Sequence, residues 1–299
     1  MSAPLVFDRA LVRRRLRRAL GAGYADFLLG RAVEDLDERL ASVLRAFPLA
    51  LDLGTPTDAA TAALEASGRA ESIVRLAGMG ELGRPGRLVV GDEEILPFAP
   101  ESFDLAISLL ALHGVNDLPG ALIQLRRALK PDGLFLGCLL GGGTLIELRQ
   151  SFAQAEAELE GGISPRVAPF ADVRDLGALL QRAGFALPVA DVEPVAVRYA
   201  DAFGLMRDLR AMGLSNALLE RRRAPLRRAT LMRMAQIYAQ RFADADGRVR
   251  ATFEVVWLSG WAPHESQQKP LRPGSAKTRL ADALGTVEHS LGEKAGHPS

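Results

Sequence analysis

Asp52, Leu53 and Gly54 close an apolar run that begins at Phe47, and Thr55, Pro56, Thr57 and Asp58 follow before a helical pattern sets in. A carboxylate and a glycine where a strand meets a helix start can offer a nucleotide-like ligand bare backbone N–H groups and the positive end of a helix dipole. Asp92, Glu93 and Glu94 form a second cluster, three consecutive carboxylates ahead of Ile95, Leu96, Pro97 and Phe98. His113, with Asn116 and Asp117 downstream, is the histidine placed for acid–base work. Arg221, Arg222 and Arg223 open a basic run that continues to Arg228 and suits an acidic protein surface. His264 with Glu265 falls short of a metal site, which needs more ligands. Cys138 sits in an apolar run and reads as packed core.

The elements that must position these residues alternate. Residues 8–46 read as two helices with a turn around Gly21–Gly23, the first leaning Leu11, Leu16 and Leu20 on the domain. From Leu49 on, short apolar strands at 49–53, 71–76, 87–91, 103–109 and 133–139 alternate with helices at 56–67 and 117–129. That alternation is the signature of a doubly wound parallel sheet. Thr55 reads as the N-cap of the 56–67 helix, with Pro56 in its first position and Asp58 in its third. Lys130 to Gly133 reads as a turn. Helical patterns return at 144–160, 172–183, 201–212 and 224–242, with a sixth strand at 185–198 and a seventh, expected at the edge, at 251–261. The implied organisation is a helical extension over 1–46, a domain over 47–269 with a helical insertion about 144–242, and a disordered tail over 270–299.

Composition narrows the function classes. The chain has 299 residues, a net charge of +1, 48% hydrophobic and 24% charged residues, as in an ordinary globular protein. Near-neutral charge and the lack of aromatic residues among the basic ones argue against nucleic acid. A single cysteine rules out an intramolecular disulfide and suits a reducing compartment. The apolar stretches near 105–112 and 134–140 are too short to span a bilayer. Cytoplasmic location is expected, with peripheral contact at the inner face of the membrane as second choice.

Several motifs carry a family resemblance. Asp92, Glu94, Leu96, Pro97 and Phe98 follow the third strand as Asp-x-Glu-x-Leu-Pro-Phe does in the S-adenosylmethionine (SAM) methyltransferases of malonyl-carrier-protein and quinone-biosynthesis type. Phe103 to Ser108 resembles their fourth strand, and Leu129 to Gly133 their entry to the fifth. Beyond this common core the chain is similar to mitochondrial complex I assembly factor 5 and its bacterial relatives. The matching segments are Phe47 to Asp52, Leu112-His113, Val115 to Pro119, Gly142 to Arg149, Glu160 to Pro165, Asp175 to Gly177, Arg182 to Phe185, Met212 to Asn216 and His264 to Gln267.

The resemblance implies a Rossmann-like class I methyltransferase fold with a seven-stranded, mostly parallel sheet. It implies SAM as cofactor, bordered by Asp52, Gly54, Asp92 and Glu93, with His113 at the reaction pocket. It implies methyl transfer to, or arginine hydroxylation of, a protein partner such as a respiratory complex I subunit. The chain departs from the pattern at three places. Pro56 and Asp58 replace the second and third glycines of the cofactor loop, Leu76 falls where a strand-end acid takes the ribose diol, and Gly114 replaces a Trp. The alternative is therefore a catalytically silent scaffold that keeps the partner surface without SAM.

Overall fold

The structure, a computed structural model, describes residues 5–78, 87–267 and 285–286. Met1–His264 form one compact unit; of the unit that follows, only residues 265–267 and 285–286 are described, without helix or strand. The tail expected to be disordered therefore lies almost wholly outside the described residues.

Two helices come first, α1 (Arg9–Ala22) and α2 (Phe27–Ala41). Then follow β1 (Phe47–Leu53), α3 (Ala59–Ser67), β2 (Ala70–Ala77), β3 (Arg87–Val90), β4 (Phe103–Leu109), α4 (Leu118–Ala128) and β5 (Leu129–Leu140). The chain continues through α5 (Ile146–Glu160), α6 (Val173–Arg182), β6 (Ala186–Tyr199), α7 (Ala202–Ala211), α8 (Arg228–Phe242) and β7 (Val249–Trp261).

One seven-stranded sheet results, in the order β3-β2-β1-β4-β5-β7-β6. The pairings from β3 across to β5 are parallel, while β7 runs antiparallel to both β5 and β6. Strand order reverses between β1 and β4, and the crevice outside the carboxyl ends at such a point is where open α/β sheets bind ligands. Two apolar cores flank the sheet. Leu36, Phe253 and Trp257 lie in one; Leu76, Phe135 and Leu176 lie in the other.

Three local expectations are corrected. The edge strand is β6, not the 251–261 strand, which lies between two partners. Its continuous buried run Val255, Val256, Trp257, Leu258 fits an interior position, whereas β6 alternates half-buried and exposed residues. Helix α3 starts three residues late, at Ala59, with Asp58 at the N-cap. Thr55 is drawn into the sheet instead: its hydroxyl accepts from Leu109 N at 3.3 Å and its carbonyl from Arg75 at 2.7 Å. Lys130 to Gly133 belong to β5, where the positive φ of Asp132 (61°) accompanies a register shift against β4 in place of a free turn.

Candidate functional site

Gly54 leaves β1 with φ 71°, the left-handed region that glycine tolerates without strain. A Cβ there would meet the Glu93 side chain at 2.9 Å and Ala111 Cβ at 3.1 Å, so only glycine lets these walls close in. Beneath it Asp52 is fully buried, accepting from the Thr61 hydroxyl at 2.8 Å, with Arg75 Nε at 3.8 Å. Burial is the largest influence on Asp52 and raises its pKa, against Thr55 and Arg75, which lower it. Asp52 thus braces the loop from below, consistent with its absence from the cavity wall above.

That cavity is bounded by Gly54, Thr55, Pro56, Glu93, His113 and the inner face of α1, and amounts to about 80 Å³. Its wall at the end of β2 is made by Ala77 and Gly78, neither of which carries a carboxylate. Leu76, expected at the ribose position, is packed in the core with 0% exposure. Residues 79–86, next in the chain, lie outside the described residues.

The three acids after β3 are already in use. Arg9 donates from Nη2 to Asp92 at 3.0 Å and to Glu93, and from Nη1 to Gly114 O at 2.9 Å, with Nε 3.9 Å from Glu94. Arg13 donates to the other Asp92 oxygen. For Asp92, burial raises the pKa, but the Glu94 N–H and the two guanidinium groups outweigh it and hold it at about 2. Glu94 accepts from Asn116 N, and its carbonyl accepts from Gln124 at 2.7 Å, so it ties β3 to α4.

Helix α1 is held over the site at both ends. Asn116 Oδ1 accepts from Val6 N at 2.8 Å and Phe7 N at 2.7 Å, so Asn116 anchors the N-terminal segment; Asp117 caps α4 through Gly120 N. On the other side Gly213, at φ 75°, lets the backbone of α1 approach, since a Cβ there would stand 3.0 Å from Leu16 Cα. Nothing local marks Arg9 and Arg13 among the arginines of α1, because their partners at 92–94 are distant in sequence. The apolar stripe alone gave only the Leu11 side. Arg75, buried near the end of β2 and bonded to Thr55, was missed as well.

His113 stands where the cavity passes into a second one. Its ring packs edge-on to Phe170 with centroids 5.7 Å apart, and burial first, Arg9 second, lowers its pKa to about 4. The imidazole is therefore neutral at pH 7. Ser108 is turned away, donating to Leu53 O at 2.8 Å. Cys138 is core, its thiol pushed up to about 12 by burial. Of the basic trio, Arg221 donates to Leu218 O at 2.6 Å and pairs with Asp8, Arg222 pairs with Glu160 at 2.6 Å, and Arg223 is exposed. No cluster of three or more metal-ligating side chains occurs among the described residues. Nor is any described helix long and apolar enough to cross a membrane.

A strand-order reversal with a glycine turn and an acidic loop at its mouth defines a Rossmann-like methyltransferase-fold protein. A methyltransferase-domain family matches residues 51–137. Among solved structures, the YcgJ protein of Bacillus subtilis aligns with a TM-score of 0.53 at 14% identity, covering 79% of this chain and 99% of that one. The chain is 40% identical over 288 residues to arginine-hydroxylase NDUFAF5, mitochondrial, of Danio rerio, covering 93% of this chain and 89% of the relative. The Homo sapiens protein of the same name is 40% identical over 297 residues, covering 96% and 85%. A malonyl-[acyl-carrier protein] O-methyltransferase of Methylovorus sp. is 36% identical over 300 residues, covering 95% of each. The chain belongs to the NDUFAF5 family.

Proposed function

We propose that this chain acts on a protein partner as an assembly factor of the NDUFAF5 kind, and that it does so without holding SAM in the conventional way. The observation that carries the reading is the Arg9 clasp on Asp92 and Glu93 above a cavity of about 80 Å³. Small-molecule pockets run from about 300 to 1,000 Å³. Three further features agree. Pro56 has no N–H to donate, Thr55 spends its carbonyl on Arg75, and the wall at Ala77 and Gly78 has no acid for a ribose diol. The described residues at Thr55, Pro56, Ala77 and Gly78 do not match a conventional SAM site, so no chemical step is routed through it. A complex I subunit is the partner class that the resemblance suggests.

A second reading keeps the hydroxylase or transferase activity of the named relatives. It draws on the 40% identity and on the retained Asp52, Gly54 and Asp92. Calorimetric titration of SAM and S-adenosylhomocysteine into the stripped, full chain separates the two. The proposal expects no heat of binding up to millimolar ligand. Micromolar binding overturns it and restores an enzyme whose α1 moves aside for the cofactor.

A further inference from the structure

The second cavity, about 310 Å³, lies between the turn at Leu112–Gly114, helices α5 and α7, and the segment around Phe170. Its body is apolar, with Leu145, Leu148, Phe152, Phe170, Met206 and Leu209 in the wall. No carboxylate lines it among the described residues. Two guanidinium groups do, and they differ. Arg166 is neutralised by the fully buried Glu156, which accepts from its Nε at 2.8 Å. Arg210 is exposed and makes no ion pair among the described residues. Ser215 beside it has a hydroxyl with no hydrogen bond to the described residues.

From this geometry we infer that the second cavity binds a medium-chain acyl carboxylate, its chain among Leu148, Phe152 and Met206 and its carboxylate at Arg210 and Ser215. The chain gains by leaving water for an apolar wall. The head meets a cation whose hydrogen bonds to a carboxylate are charge-assisted. A guanidinium or ammonium head would meet the like charge of Arg210, with no acid in the described lining to receive it. The cavity therefore selects by charge sign, and it selects against a cationic side chain.

The inference stands apart from the SAM reading, because neither Arg210 nor the α5 wall touches the acidic loop. Calorimetric titration of the full chain with monomeric dodecanoate, dodecylammonium and Nα-acetylarginine amide tests it. Saturable one-to-one binding of dodecanoate is expected, at least about tenfold tighter than dodecylammonium. Arg210→Glu, a surface change, is expected to reverse that order. Met206→Trp, which fills the cavity, is expected to abolish uptake. Should that variant lose its circular dichroism, Arg210→Glu alone decides. Equal affinity for both amphiphiles, preference for the arginine amide, or no binding at all overturns the inference.

Discussion

At the carboxyl ends of β1 and β3 the chain keeps its carboxylates and fills the space between them, whereas the cavity between α5 and α7 has no carboxylate in its described lining and stays open. On the first side Asp92 and Glu93 survive in sequence, yet Arg9 and Arg13 consume them, and the cavity left is about 80 Å³. On the second side nothing resembles a nucleotide motif, yet about 310 Å³ remains under Phe170 and Met206. Motif retention and available volume are thus separate properties, and a site needs both. A carboxylate already satisfied inside the fold offers a ligand little, because the ligand must first replace the bonds it displaces.

The sharpest way to break the comparison is to disturb the buried ion pair that holds the open side. Glu156 is fully buried and accepts from Arg166 Nε at 2.8 Å and Ser164 N at 2.7 Å. Arg166→Leu leaves that carboxylate uncompensated and is expected to cost about 3–5 kcal/mol, read by urea unfolding. Replacing both partners, Arg166→Leu with Glu156→Leu, is expected to restore most of the loss. If the single variant is neutral, the second cavity is not held by this pair.

Next in size is the clasp on the closed side. Arg9→Ala removes hydrogen bonds to charged partners, each worth about 1.5–3 kcal/mol, some of it regained as Asp92 and Glu93 hydrate. A net loss of about 2–4 kcal/mol is expected, together with faster amide exchange in α1. SAM binding should become detectable only at millimolar concentration in this variant, since Ala77 and Gly78 still carry no acid. Submicromolar binding would mean that the clasp alone shuts the site.

The two sides also meet at His113, and pH separates their contributions. Asp92 has its folded pKa depressed to about 2 from 3.8, so its stability is present above pH 4 and lost as pH falls toward 2. That window is expected to carry about 2 kcal/mol. His113 has its folded pKa lowered to about 4 from 6.5, so the unfolded chain binds the proton first and stability falls as pH drops from 6.5 to 4. Unfolding measured across pH should show both slopes. His113→Gln is expected to flatten the upper one, and Arg9→Gln the lower.

What the sequence disclosed follows the same division. The parallel half was legible because each strand is a short apolar run between helix patterns. The helix start was not, because Thr55 and Pro56 look like a cap until Leu109 N and Arg75 claim Thr55. The edge was misassigned because Val189, Val192, Val195 and Val197 of β6 read as firmly as β7, and only the unbroken burial of Val255 to Leu258 tells them apart. Arg9 and Arg13 were invisible in an arginine-rich helix, since every turn offered a basic residue and only the distant partner at 92–94 distinguished two of them. Long-range charge pairing has no local signature.

The smallest expected effect bears on whether the basic run serves the partner or the fold. Arg221 is tied to Leu218 O and Asp8, and so holds the start of α1, while Arg223 is exposed with no such tie among the described residues. Arg223→Ala should change stability by less than about 0.5 kcal/mol. Arg221→Ala should loosen the N-terminal segment instead, seen as faster exchange at Val6, Phe7 and Asp8. A partner held by this surface would be weakened by Arg223→Ala and by added salt, because exposed charges act within roughly one Debye length, about 8 Å at physiological ionic strength. Salt-insensitive binding that responds only to Arg221→Ala would move the run out of the partner surface and into the latch over the closed site.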